Sequence, residues 1–219
     1  MSRKKYEAIN ALPSGRATED ITEGCLVLEG GAWRGVYTVG VLDAMMTGGI
    51  NLSTAVGISA GALSALSYIS GQIGWGIRID LTYRHDPNYC GVGAFARDHG
   101  ITGFSYLFNE IMAGLPLDME RLMSPRRRLF VGAADMRSGK LVYFEKGKCD
   151  LFRAVRASAT VPFISRPVII DGAPYIDGGC VDKIPSAWAN ENEAGKKLVG
   201  VKTRERSYRR EEKASAAAR

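Results

Sequence analysis

The stretch STAVGISAGALSALSYIS, residues 53–70, decides how the chain is read. Its first part, Ser53 to Ile58, is short and apolar enough for a buried strand. Its second part, Ala60 to Ser70, is rich in Ala, Leu and Ser and suits a helix. The junction is Gly57-Ile58-Ser59-Ala60-Gly61, a Gly-x-Ser-x-Gly sequence. A serine in that setting sits on a sharp strand-to-helix turn. Side chains two residues either way would collide there, and Gly57 and Gly61 remove them. The helix that follows aims free N–H groups at Ser59, where negative charge would develop during attack on a carbonyl. A chance pentapeptide at a packed turn is the competing reading, and the strand-helix context weighs against it.

Working outward, Cys25 to Glu29 is an apolar run ending in Gly30-Gly31, as expected of a buried strand entering a tight turn. A helix follows Gly35 and closes at Gly48-Gly49. Further strands are expected at Leu129 to Ala134, Leu141 to Phe144 and Lys197 to Val201. Leu151 to Ser158 reads as a helix. Val168 to Ile170 and Pro174 to Ile176 form a hairpin around Asp171-Gly172. Pro185 opens a short helix. Residues 71–127 hold turns, aromatics and one helix around Phe104 to Ala113. Strands and helices alternate, so the class is α/β with a mostly parallel central sheet.

Gly30-Gly31-Ala32-Trp33-Arg34-Gly35 lies at a strand end, where unobstructed N–H groups can bind an anion or oxyanion. A dinucleotide fingerprint wants Gly in place of Ala32 and an acidic residue at the end of the next strand, and neither is present. The Gly-Lys-Ser/Thr ending of a phosphate-binding loop is also missing. A purely structural tight turn remains the alternative. A serine nucleophile needs a base. The only histidines, His85 and His99, precede every late acidic residue, so a Ser-His-Asp triad of the usual chain order is disfavoured. Asp177-Gly178-Gly179 follows an apolar strand, and partial burial would raise the pKa of its carboxylate and improve it as a base. Alone, Asp-Gly-Gly reads as a turn; it gains meaning only beside the other two motifs. For Ser59 and Asp177 to meet, the strands ending at Ile58 and Ile176 must present their ends on the same side of the sheet.

Together these residues resemble the patatin-like phospholipase family, with its Gly-rich oxyanion loop, its Gly-x-Ser-x-Gly elbow and its late Asp-Gly-Gly/Ala. Ala157 to Phe163 and Asp182-Lys183-Ile184-Pro185 add to the likeness. The resemblance implies a three-layer α/β/α domain and hydrolysis of acyl esters of lipids by a Ser59–Asp177 dyad. It implies an oxyanion hole from Gly30, Gly31, Ala32 and Ala60, with Arg34 and Gly35 supporting the loop and Gly57 and Gly61 shaping the elbow. No metal or organic cofactor is implied. Ala32 departs from the family pattern; its N–H survives, so the hole can form if its φ is negative. The same residues also suit a soluble carboxylesterase or thioesterase, or a lipid-binding protein with a weak site. Ile101, Phe104, Tyr106, Leu107, Phe108, Ile111 and Met112 are candidates for an acyl groove, or for a helix face buried in the core.

Composition fits this picture. The 219 residues, 46% hydrophobic and 24% charged, suffice for one domain with a sizeable core. The expected division is a polar leader at 1–23, the domain at 24–205 and a charged, Ala-rich tail at 206–219. No stretch approaches the roughly 18 apolar residues of a membrane span. Met1 to Ile9 lacks the apolar run of a signal peptide, and the four cysteines form no Cys-x-x-Cys pair, so a cytoplasmic chain with reduced thiols and no zinc site is expected. The net charge of +6 gathers at Arg126-Arg127-Arg128 and from Lys202 onward. It reads as solvated surface charge, or as attraction to an anionic surface such as phospholipid headgroups, the basis for peripheral membrane contact. Nothing in it resembles a nucleic-acid-reading element. Neither histidine is expected to act in catalysis. The folded His85→Ala, His99→Ala double variant should keep most of its ester hydrolysis, whereas a loss of about a thousandfold would restore a histidine mechanism.

Overall fold

A computed structural model of the protein describes residues 6–205 together with Ser207 and Tyr208. In chain order the elements are β1 (Gly15–Arg16), β2 (Thr22–Leu28), α1 (Gly35–Thr47), β3 (Leu52–Ile58), α2 (Ala60–Ile69), β4 (Gln72–Ile73), α3 (Trp75–Tyr83) and α4 (Val92–Asp98). A π-helical stretch, Tyr106–Ile111, runs into α5 (Met112–Gly114), followed by α6 (Met119–Met123), β5 (Arg128–Asp135) and β6 (Leu141–Glu145). The chain continues with α7 (Leu151–Ser158), β7 (Val168–Ile170), β8 (Ala173–Asp177), α8 (Ser186–Asn192) and β9 (Leu198–Val201).

The central sheet is mixed. β9, β2, β3 and β5 run parallel, while β6, β8 and β7 are antiparallel additions. Successive residues of a strand face opposite sides of a sheet, and here both sides are apolar. Leu26, Leu28, Leu129 and Val131 pack with Leu42 of α1, Leu66 of α2 and Val155 of α7. Cys25, Val27, Val56 and Phe130 face the other way, onto Ala189 and Trp188 of α8. The result is the expected three-layer α/β/α sandwich.

The register around β5 brings the Gly-x-Ser-x-Gly and Asp-Gly-Gly motifs together. β6 covers one edge of β5 over Phe130 to Ala134. The opposite edge is shared. β3 occupies it up to Ile58, opposite Gly132, and β8 takes over with Asp177 opposite Ala133. Since β3 is parallel to β5 and β8 antiparallel, their carboxyl ends meet head to head, not side by side. Ser59 and Asp177 are the next or last residues of those two ends.

Two expectations change. Residues 6–23 hold more structure than a polar leader suggests. They form a 3-10 turn at Glu7–Ala11 and strand β1, which pairs with β4. Ala17 is buried in the core, and the Arg78 guanidinium donates to the carbonyls of Pro13 at 2.7 Å and Leu12 at 2.8 Å. The Arg126–Arg128 cluster is not a free basic patch. Arg127 is buried under Tyr68 and donates to the Leu52 and Tyr68 carbonyls, Arg126 pairs with Glu19, and Arg128 pairs with Glu145 and Glu193. Most of the 206–219 tail lies outside the described residues.

Two glycines give the packing a sharp test. A Cβ on Gly61 would lie 2.5 Å from the Leu28 carbonyl oxygen, whereas one on Gly40, in the middle of α1, would meet nothing. Gly61→Ala should therefore cost about 2 kcal/mol or more in urea unfolding, as overpacking against backbone does. Gly40→Ala should gain about 1 kcal/mol from helix propensity. Equal effects of the same sign would contradict this packing of α2 on β2.

Candidate active site

Ser59 is the N-cap of α2, with φ 55° and ψ −121°. Few non-glycine residues accept that conformation, and it is enforced from both sides. A Cβ on Gly57 would stand 2.7 Å from the Ala62 nitrogen, so only glycine admits so tight a turn. The Ser59 N–H donates to Ser158 Oγ at 2.8 Å, and Ser158 Oγ donates to the Gly132 carbonyl at 2.6 Å. Ser158, fully buried at the end of α7, thus ties the turn to β5. Its helix starts at an ordinary cap, Asp150, whose carboxylate accepts from the Arg153 N–H.

The Ser59 hydroxyl donates to Asp177 Oδ2 at 2.7 Å. The second carboxylate oxygen, Oδ1, accepts from the Gly179 N–H at 2.7 Å. The Asp177 N–H donates to the Thr160 carbonyl at 2.8 Å. The same short stretch, Ser158 to Thr160, therefore positions both partners. Sequence reasoning noted Ala157 to Phe163 as a likeness and missed this positioning role; Ser158 closing an apolar helix face was the visible signal, whereas Thr160 acts through its backbone carbonyl, which leaves no mark in the sequence. Burial pushes the Asp177 carboxyl above the usual aspartate range. The hydrogen bonds from Ser59 and Gly179 and the nearby Lys183 charge pull it back in part.

The Gly-rich loop needs one correction. The Gly30 N–H donates to the Lys183 carbonyl at 2.9 Å, so Gly30 has no free donor for an oxyanion and acts as an anchor for the loop. The N–H groups of Gly31, Ala32 and Ala60 donate no hydrogen bond among the described residues. Ala32 has φ 48°, so the negative φ set as the condition for its part in the hole is not met, yet its N–H stays unpaired among the described residues and is still available as a donor. The loop keeps the backbone that a glycine would take, and the alanine is strained in it. Arg34 Nε donates to Thr203 Oγ1 at 3.3 Å, and Thr203 Oγ1 donates to buried Glu29 at 3.0 Å. Gly35 sits against Ala60, where a Cβ would come within 2.8 Å of the Ala60 Cβ.

Ser59 and Asp177 open into a cleft of about 470 Å³. Of the acyl-groove candidates, only Phe104 and Leu107 line it; Ile111 is in the core, with Tyr106, Phe108 and Met112 packed against that core. Val39, Leu63, Leu66, Trp75, Ile79, Val161 and Pro162 supply the rest of the apolar wall. One carboxylate, Asp80, interrupts it. Burial pushes its pKa up to about 6, and Tyr89 Oη donates to it at 3.3 Å. Neither His85 nor His99 lines the cleft. Among the described residues, no group of three or more His, Cys, Asp or Glu side chains is arranged to hold a metal ion.

A three-layer α/β fold with Ser59 on a strand-to-helix turn and a carboxylate against its hydroxyl defines the class. The chain belongs to the patatin-like phospholipase family, whose model matches residues 26–187. The uncharacterized protein YjjU of Escherichia coli K12 is 30% identical over 183 residues, 81% of this chain and 51% of its own length. The uncharacterized NTE family protein Mb1092c of Mycobacterium bovis is 28% identical over 171 residues, covering 74% of this chain and 44% of the relative. The probable lipid hydrolase 463L of invertebrate iridescent virus 6 is 27% identical over 183 residues, with 73% and 61% covered. The chain thus spans about half the length of the curated relatives it matches. The crystal structure of VipD from Legionella pneumophila superposes with a TM-score of 0.50 at 18% identity, over 82% of this chain and 49% of VipD, a likeness of fold.

The Ala32 strain is testable. A non-glycine residue in the left-handed region costs about 1 kcal/mol. Ala32→Gly should gain roughly that amount in thermal unfolding and leave the Gly31 and Ala60 donors in place. A loss of stability would show that the loop does not take this conformation.

Proposed function

We propose that the protein is a serine acyl hydrolase acting on lipid esters, with Ser59 as nucleophile and Asp177 as its base. The observation that carries this reading is the 2.7 Å hydrogen bond from Ser59 Oγ to Asp177 Oδ2 at the floor of an apolar cleft. That distance is within reach for proton transfer, and the raised Asp177 pKa makes the carboxylate a better acceptor than a free aspartate at about 3.9.

As the Ser59 oxygen attacks the ester carbonyl, its proton passes to Asp177. The carbonyl oxygen becomes an oxyanion held by the N–H groups of Gly31, Ala32 and Ala60, the last at the positive end of α2. The proton on Asp177 then leaves with the alkoxide, giving a free alcohol and an acyl-Ser59. Water attacks this ester, Asp177 takes the water proton, and the carboxylic acid departs as Ser59 recovers its hydrogen. Each step uses one carboxylate as base and then acid, so no histidine is needed. The apolar wall from Val39 to Leu107 favours a hydrocarbon acyl chain over a polar one. The family and a relative named as a lipid hydrolase support the same substrate class. We assign the catalytic unit to the stretch from residue 24 to 205.

The mutational test separates chemistry from folding. Ser59→Ala and Asp177→Asn should each lower hydrolysis of a lysophospholipid and lipid-ester panel by at least about a thousandfold. Their stabilities should diverge from that loss. Folding raises the Asp177 pKa, so its contribution to stability is present below the unfolded value and is lost as pH rises through the folded value. At neutral pH the ionised carboxylate therefore opposes folding, and Asp177→Asn should unfold at a temperature no lower than the native chain. Near-native turnover by either variant contradicts the dyad.

A further inference from the structure

We infer that the apolar rim around the mouth of the cleft docks on a lipid surface, with Phe163 as its leading side chain. The inference rests on reading the cleft as a site for acyl lipids. Phe163 is fully exposed, and its backbone lies at φ 68°, in the left-handed region. A bulky aromatic rarely takes that conformation, and exposure gives it no packing in return. It directly follows Val161 and Pro162, which line the cleft, and Ile164 beside it is also exposed.

A second segment lies against this one. The Arg166 N–H donates to the His99 carbonyl at 3.0 Å, and Gly100 abuts Ser165 so closely that a Cβ would come within 2.7 Å of its Oγ. This segment carries three exposed apolar side chains, Val92, Phe95 and Ile101, between cleft-lining Cys90 and Thr102. The Gly91 N–H donates to the Ile101 carbonyl at 3.1 Å, which closes the segment into a compact lobe. Cleft-lining Trp33 is exposed as well, its ring 6.0 Å from that of Tyr89, next to this segment. Single exposed apolar residues are ordinary; six on segments that line the cleft or adjoin its lining are not.

Charge and chemistry select the occupant. Within 91–101 and 161–166 the only acidic residue, Asp98, is buried and paired with Arg156 at 3.2 Å. The exposed charges are Arg97, which pairs with Glu110, and Arg166. With Arg97 neutralised by Glu110, the net charge of the rim is carried by Arg166, and apolar side chains beside an arginine suit the headgroup boundary of an anionic bilayer. A rim seated there would let an acyl chain pass from the bilayer to Ser59 without crossing water.

The test is flotation of the native chain with vesicles of phosphatidylcholine, alone and with about a quarter phosphatidylglycerol. The native chain should float with the anionic vesicles. Phe163→Asn with Phe95→Ser should lower its partition by about tenfold or more. Asn accepts positive φ better than Phe, so Phe163→Asn alone should unfold at an equal or higher temperature while binding vesicles more weakly, an opposite pair of effects that a structural role does not produce. Three results would overturn the inference: a native chain left in the supernatant, a double variant that floats as well as the native chain, or a native dimer that these substitutions dissociate, which would assign the rim to self-association. Flotation needs no turnover, so labelling of Ser59 by a water-soluble fluorophosphonate reports on the hydrolase reading separately.

Discussion

The edge of β5 carries two strands in succession, and the rest of the site depends on that sharing. β3 ends opposite Gly132 and β8 begins its last pairing opposite Ala133. One strand arrives from each direction, so a turn that follows the first and a carboxylate that ends the second must meet. The space between them is small. A Cβ on Gly178 would lie 2.6 Å from the Gly132 carbonyl, so glycine is needed for the chain to leave β8 without pushing the strands apart. The Ser158 hydroxyl and the Thr160 carbonyl then lock each side of the junction through hydrogen bonds to its backbone.

Three of the five non-glycine residues with positive φ among the described residues belong to the surroundings of the cleft. Ser59, Ala32 and Phe163 all hold positive φ, and all three lie on the cleft or next to its lining. Such residues cost about 1–3 kcal/mol each and persist only where the surroundings over-determine them. At Ser59 the surroundings are the Gly57–Ala62 contact and Ser158. At the loop they are Arg34, Thr203 and Glu29, together with the Gly30 anchor on Lys183. Burial of Asp177 belongs to the same pattern, since it raises the carboxyl's pKa and gives up stability at neutral pH, which under the proposed mechanism makes a better base.

Much of this was legible in the sequence. The Gly-x-Ser-x-Gly junction, the apolar runs of β2 and β5 and the Asp171-Gly172 hairpin follow local rules of period and turn chemistry, and they appear within three residues of the expected places. What could not be read depends on contacts distant in sequence. The end-to-end meeting of β3 and β8 is a matter of register. The loss of Gly30 as a donor depends on a carbonyl at Lys183, and the positive φ of Ala32 on a loop packed against Thr203. α3, α4 and α6, within residues 71–127, went unseen because their short apolar stripes are interrupted by glycine and charge. Arg127 looked like surface charge because its neighbours are arginines, yet the carbonyls of Leu52 and Tyr68 bury it.

The central claim is that Asp177, and no histidine, removes the Ser59 proton. The most direct measurement is the rate at which a soluble fluorophosphonate modifies Ser59 as a function of pH, followed by the mass of the Ser59 peptide. The rate should fall as pH drops through a single ionisation that lies above the ordinary aspartate value, and Asp177→Asn should abolish that limb along with most of the rate. An unchanged rate and pH profile in Asp177→Asn would contradict the account.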